Sequence, residues 1–183
     1  MDTVADVAWT VDSFLAWEDR QEGKHEFDGR DVVPMTGGSI THQRIGANMI
    51  FLFMRLLAGT PFEAYQEMRL RCGQAVRYPD LLIWKADLDQ RLRTIDDAFA
   101  IFEVLSDDTA DTDRVAKLVD YAALPSLRSY VLLEQDAMAA TFYQRDLGGV
   151  WASSRHTAGD LVRPGLDIAM PLAALYRRPT FGA

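Results

Sequence analysis

Two stretches, RYPDLLIW (Arg77–Trp84) and AIFEVLS beginning at Ala100, decide how this chain is read. Leu81, Leu82, Ile83 and Trp84 form the continuous apolar run expected of a strand buried on both faces. Pro79 can open such a strand, because its first residue need not donate to the ladder. Asp80 is the anomaly. A carboxylate entering a buried strand loses its hydration, and stays ionised only beside a cation or several donors. It either caps a turn, as Asp often does, or it ligates a metal. Glu103, inside the second apolar run, poses the same question. As an edge residue it would face solvent. On a buried strand beside Asp80, the two charges would repel and each pKa would rise. A shared Mg²⁺ would remove that conflict, since it accepts a few carboxylates plus water in octahedral geometry.

Downstream, Lys117 falls on the helix expected after the Glu103 strand, so the chain can fold it back over the strand end. An ammonium there would orient water and offset developing negative charge. Asp113 and Lys117 are also spaced i,i+4, the separation of an ordinary surface ion pair. Glu26 in KHEFDG reads equally as a solvent-side hairpin residue, and His42 as a cap or surface group. His25 and His156 lack ligand spacing, so zinc has little support. Cys72 has no histidine tied to it, which disfavours a nucleophilic thiol and fits a small buried one.

The surrounding chain supplies an α/β (mixed α+β) frame. Thr10 is a suitable N-cap for VDSFLAWEDRQ, with Val11, Phe14 and Leu15 inward. HEFDGRDVVPM predicts a hairpin about a type I′ turn at Asp28-Gly29. Ser39 caps a long helix with an apolar stripe of Ile45, Met49, Leu52, Phe53 and Leu56, stopped by Gly59. FEAYQEMRLRC is expected as one strand and VRYPDLLIWKA as a second, more buried one, with DLDQRLRTIDD a polar loop or frayed helix. AFAIFEVLS is a third strand. The helix after it is expected to run through Val115, Leu118, Val119 and Ala122. LRSYVLLEQ, AATFYQR and GVWASSRH predict three more strands, and PLAALY a last helical turn.

With 183 residues, 49% of them hydrophobic and 25% charged, the chain fits one domain over 1–183 with a sizeable core. No stretch approaches a membrane span. The acidic start MDTVADVAWTVDSF lacks the basic region of a signal peptide, and a single cysteine suits a reducing, cytoplasmic setting. The net charge of −8 disfavours non-specific nucleic-acid binding. A bound divalent cation would reverse the local field, and arginines cluster in RLRCGQAVR and QRLR.

RYPDLLIW, then FEVLS, then the lysine of TDRVAKLVDYAALPSLRSYVLLEQD, resemble the bacterial Uma-two family of endonuclease-like proteins, within the PD-(D/E)XK nuclease superfamily. The resemblance extends to FLAWEDRQEGKHEFDGRDVVPMTGGSITHQRIGANMI and DLVRPGLDIAMPLAALY, and so spans about residues 11–176. It implies a restriction-endonuclease-like core and Mg²⁺-dependent cleavage of DNA, with Mn²⁺ able to substitute. It implies Asp80 and Glu103 as the catalytic metal-holding pair, and Glu26 as the acid completing the metal shell. Lys117 would replace the lysine normally two residues after the acid, where Leu105 stands. His42, Asp113 and Tyr121 match family positions with supporting roles. The expected partners are DNA and a second copy of the chain, since a homodimer would join two arginine-bearing edges. The competing expectation is an inactive nuclease fold kept as a homodimeric interaction or nucleic-acid-binding module.

Overall fold

A single bent β-hairpin organises the protein. Its computed structural model describes residues 9–105, 111–163 and 168–178; the side chains of 111–114, 160–163 and 168 are not treated. The first arm comprises β3 (Phe62–Gln66) and β4 (Arg69–Cys72), and the second β5 (Ala75–Arg77) and β6 (Leu81–Lys85). Each arm was expected as one strand, but both break at the same level. The register runs unshifted through the break, from Gln66 opposite Leu81 to Leu70 opposite Arg77. On one arm Glu67 adopts φ +46°, a left-handed conformation costly for a non-glycine residue. On the other, Pro79 cannot donate to a ladder. The Glu67 N–H still reaches the Asp80 carbonyl at 3.3 Å, so the arms turn together and pass from one sheet into another.

The six-stranded sheet has the order β11-β10-β9-β8-β6-β3. It adds β8 (Ala100–Val104), β9 (Ser129–Leu133), β10 (Ala140–Arg145) and β11 (Trp151–His156). Among the described strands of this sheet, only β8 and β9 pair in parallel, joined by α3 (Asp111–Ala122) as the crossover. The five-stranded sheet has the order β2-β1-β5-β4-β7, with β1 (His25–Phe27), β2 (Val32–Pro34) and the short β7 (Thr94–Ile95). β7 lies in the segment expected as loop or frayed helix. A third unit, β12 (Asp160–Arg163) paired with β13 (Ile168–Pro171), lies where no strand was expected.

Side-chain alternation assigns the faces of the larger sheet. Leu81, Ile83, Phe102 and Val104 pack into one core with α2 (Ile40–Leu56) and α4 (Leu172–Leu175). On α2, Ile45, Met49 and Phe53 are buried as its spacing predicts, and Phe53 meets Phe102 at a centroid distance of 4.8 Å. Burying each such side chain contributes about 1.5–3 kcal/mol. The opposite face, carrying Leu82 and Ile101, packs against Tyr121, Leu124 and the smaller sheet. α1 (Val11–Glu18), closed by a reciprocal Thr10–Ser13 bond pair, covers a third cluster with Phe14 stacked on Phe27.

Two local expectations change. The β1–β2 connection is a four-residue loop, since Phe27 pairs with Val32. The Asp28 carboxylate accepts from the N–H groups of Arg30 and Asp31, holding an Asx turn that needs a positive φ only at Gly29. On α3, Val115 and Val119 are 62% and 65% exposed, whereas Tyr121 is buried. The docked face of that helix is the one carrying Lys117 and Tyr121.

Candidate active site

Register explains how two carboxylates separated by 22 intervening residues meet. β6 and β8 pair with Leu81 opposite Phe102. One step further places Asp80 opposite Glu103, both on the face that Leu82 and Ile101 share. Asp80 sits at the bend where the hairpin leaves the smaller sheet. Its Oδ2 accepts the Val104 N–H at 2.6 Å, and its Oδ1 lies 2.9 Å from His42 Nε2. Asp80 is therefore no simple turn cap. Glu103 is no edge residue either, because β8 lies between β6 and β9.

Glu26 arrives from the smaller sheet. Phe27 pairs with Val76, which puts Glu26 beside Arg77. Its Oε1 accepts the Tyr78 N–H at 3.1 Å, and its Oε2 accepts from Arg77 at 3.1 Å. It is buried, in contrast to a solvent-side hairpin residue.

Lys117 connects the two sheets' carboxylates. Its Nζ lies 3.5 Å from Glu26 Oε1 and 3.4 Å from Glu103 Oε1, with the side chain 16% exposed. One turn along α3, the Tyr121 hydroxyl donates to Glu103 Oε1 at 2.8 Å. Glu26, Asp80, Glu103, Lys117, His42 and Tyr121 thus converge where the sheets diverge. The backbone of Asp113 lies on the same helix, but its side chain is outside the described residues. Leu105 follows β8 and packs against the Tyr121 cluster.

The electrostatics are unbalanced. Burial pushes the Glu103 carboxyl up to about 7; Lys117 opposes this, while the charges of Asp80 and Glu26 add to it. His42 is raised, chiefly by its bond to Asp80, with burial acting the other way. Its Nδ1 is buried without a hydrogen-bond partner among the described residues. Burial raises the Tyr121 hydroxyl well above its ordinary value, with the Glu103 charge reinforcing the effect.

Three neighbours did not register as site residues in the sequence. Arg77 donates to Asp120 Oδ2 through Nε at 2.9 Å and a terminal nitrogen at 2.8 Å while also holding Glu26. Asp120 had a legible signal, its i+3 spacing from Lys117. The third, Gln135, meets the Ser39 hydroxyl at the start of α2 and donates to the Leu105 carbonyl at the end of β8. Nothing in its local sequence distinguishes it.

Among the described residues, no three His, Cys, Asp or Glu side chains are already gathered as a cation cage. Asp80 and Glu26 each give both oxygens to protein donors. The donor chemistry nonetheless suits a hard cation: carboxylate oxygens, no thiolate, and a buried excess of negative charge. No described helix is long and apolar enough to cross a membrane.

Comparison with known proteins places the family and the fold. A profile of the Uma2 family, described as "Putative restriction endonuclease", matches residues 11–173. The uncharacterized protein slr1290 of Synechocystis sp. is 27% identical over 175 residues, 93% of this chain and 92% of its own. A second uncharacterized protein of that organism, sll1609, is 26% identical over 142 residues, covering 74% and 80%. The fold matches the crystal structure of "a putative nuclease belonging to DUF820" from Anabaena variabilis, with a TM-score of 0.78 at 13% identity. That match covers 92% of this chain and 97% of the other.

Proposed function

The chain belongs to the Uma2 family, and from that premise we propose that it is a divalent-cation-dependent endonuclease that hydrolyses phosphodiester bonds in DNA. The observation that carries this reading is the register that sets Asp80 opposite Glu103 on one face, with Lys117 within 3.5 Å of both Glu103 and Glu26. Asp80 and Glu103 are the cation ligands, Glu26 completes the shell, and Mg²⁺ or Mn²⁺ is the ion. A bound ion supplies Lewis acidity toward the phosphoryl group and a water more acidic than bulk.

The protein's own groups do the rest. Lys117 carries a fixed positive charge where negative charge develops, and orients the attacking water. Tyr121 fixes the rotamer of Glu103 by donating to Oε1. His42 holds Asp80 Oδ1, and the Val104 N–H holds Oδ2, so the carboxylate keeps its orientation before the ion arrives. The excess of carboxylates would favour a cation at the site, whose charge would offset theirs for a phosphate.

Metal titration of the variants tests this reading. Asp80→Asn and Glu103→Gln should each abolish Mn²⁺ binding, followed by its electron paramagnetic resonance signal, while retaining a folded circular-dichroism spectrum. Lys117→Ala should bind Mn²⁺ normally and lose turnover. Unaltered Mn²⁺ binding in both carboxylate variants would sink the assignment. A second reading, an inactive nuclease fold serving as an interaction module, is favoured by one observation: the carboxylates are not gathered as a cage among the described residues. Wild-type protein that fails to bind Mn²⁺ would select it.

A further inference from the structure

A lysine carried on the catalytic strand is aimed by the sheet, but a lysine carried on a helix is aimed only as well as the helix is docked. α3 is docked on one side. Val115 and Val119 face solvent, and the apolar anchors of its described side chains, Leu118 and Tyr121, lie on the C-terminal side of Lys117. A further contact, among the described residues, bears on the helix's rotation. Asp120, three residues from Lys117, accepts two bonds on Oδ2 from Arg77, at 2.9 and 2.8 Å. Arg77 is only 3% exposed and precedes the bend that carries Asp80. The third arm of its guanidinium holds Glu26 Oε2 at 3.1 Å, while Lys117 stands 3.5 Å from Glu26 Oε1.

One rigid fork therefore divides the carboxylates. Arg77 engages Asp120 and one oxygen of Glu26, and Lys117 faces the other oxygen and Glu103. A planar guanidinium with fixed donor directions suits this task, because it sets both distance and angle. Resting on the nuclease reading above, we propose that Arg77 and Asp120 are positioning residues, a clamp that fixes the rotation of α3 so that the Lys117 ammonium stands between Glu26 and Glu103. Neither side chain needs to touch substrate.

The chain has three lysines, Lys24, Lys85 and Lys117, so their side-chain ε-carbon signals in a lysine-labelled sample form a small, assignable set. Lys117 is identified by loss of its signal in Lys117→Arg. In Asp120→Asn the Lys117 signal should move toward that of a solvent-exposed lysine, while the Lys85 signal stays in place. Plasmid cleavage should fall roughly 10- to 100-fold in kcat with KM and Mn²⁺ affinity unchanged. Asp120→Glu, which keeps the acceptor, should recover part of both effects and carries the test if Asp120→Asn does not fold. An unmoved Lys117 signal in these variants overturns the proposal whatever the activity. A Lys117 signal that moves in a protein whose wild type cleaves nothing leaves the clamp standing and removes the nuclease reading instead.

Discussion

Two buried charge clusters lie on either side of the smaller sheet, and they differ in how completely they are paired. In the first, Arg69 donates to Glu18 and Asp19 at 2.8 Å each and to the Thr94 hydroxyl at 2.8 Å. Glu18 also accepts from Tyr78 and from the His25 N–H, and Arg93 approaches Asp19 at 3.6 Å. Two carboxylates face two guanidinium groups. In the second, Glu26, Asp80, Glu103 and Asp120 face Arg77, Lys117 and His42. There burial, with the charges of Asp80 and Glu26 adding to it and Lys117 opposing, pushes Glu103 up to about 7, and among the described residues His42 Nδ1 has no hydrogen-bond partner. Both clusters bury charge. Among the described residues the second sets four carboxylates against three basic side chains, the kind of imbalance expected of a functional site rather than a strut.

Breaking the first cluster should have the largest effect. Arg69→Met leaves the buried Glu18 carboxylate without its cation, at a cost of about 3–5 kcal/mol. Urea denaturation should show that loss, with Mn²⁺ binding retained by the fraction still folded. A loss below 1 kcal/mol would mean the cluster is no strut.

The second cluster should respond in the opposite sense. Glu103 holds its proton up to about pH 7 when folded, and to about pH 4.3 when unfolded. Between those values the folded state binds more protons, so stability falls as pH rises. His42 has the same sign: its contribution is complete below about pH 6.5 and is lost as pH rises through its higher folded value. Cation-free wild type should therefore melt lower at pH 8 than at pH 5.5. Glu103→Gln should flatten that dependence and gain on the order of 2–3 kcal/mol at pH 8. A stability profile that rises over this range would contradict the charge imbalance.

The smallest effect belongs to a pair outside both clusters. Arg155 meets both oxygens of Glu134 at 2.9 and 3.1 Å, but with its side chain half exposed. Arg155→Ala should change denaturation free energy by about 0–1 kcal/mol. A larger loss would show that pairing geometry, and not burial, separates the clusters.

What the sequence discloses of this contrast follows from how local each signal is. Asp80 and Glu103 stand out because one leads an apolar run and the other interrupts one, and β8, β9, β10 and β11, the caps at Thr10 and Ser39 and the core stripe of α2 follow from patterns only a few residues long. The bend at Glu67 and Pro79 is not local. Both arms alternate acceptably as single strands, and only their pairing shows that they switch sheets together. The turn at Asp28-Gly29 misleads for a different reason, because the Asp28 carboxylate stabilises a longer loop than the dipeptide usually makes. Val115 and Val119 fit an inward stripe by spacing, but the helix docks through Leu118 and Tyr121 and turns Lys117 toward buried carboxylates, a polar contact hydrophobicity cannot encode. Arg77 was hidden, and the spacing of Asp120 from Lys117 does not disclose its partner, because the pair is a contact across 43 residues.

The most direct measurement is cleavage of supercoiled plasmid with Mn²⁺ or Mg²⁺, wild type beside identically purified Asp80→Asn. Nicking by wild type that is lost in the variant and abolished by chelation is the predicted result. Equal nicking by both proteins, or none by wild type at high concentration with either ion, would contradict a DNA-cleaving centre at Asp80.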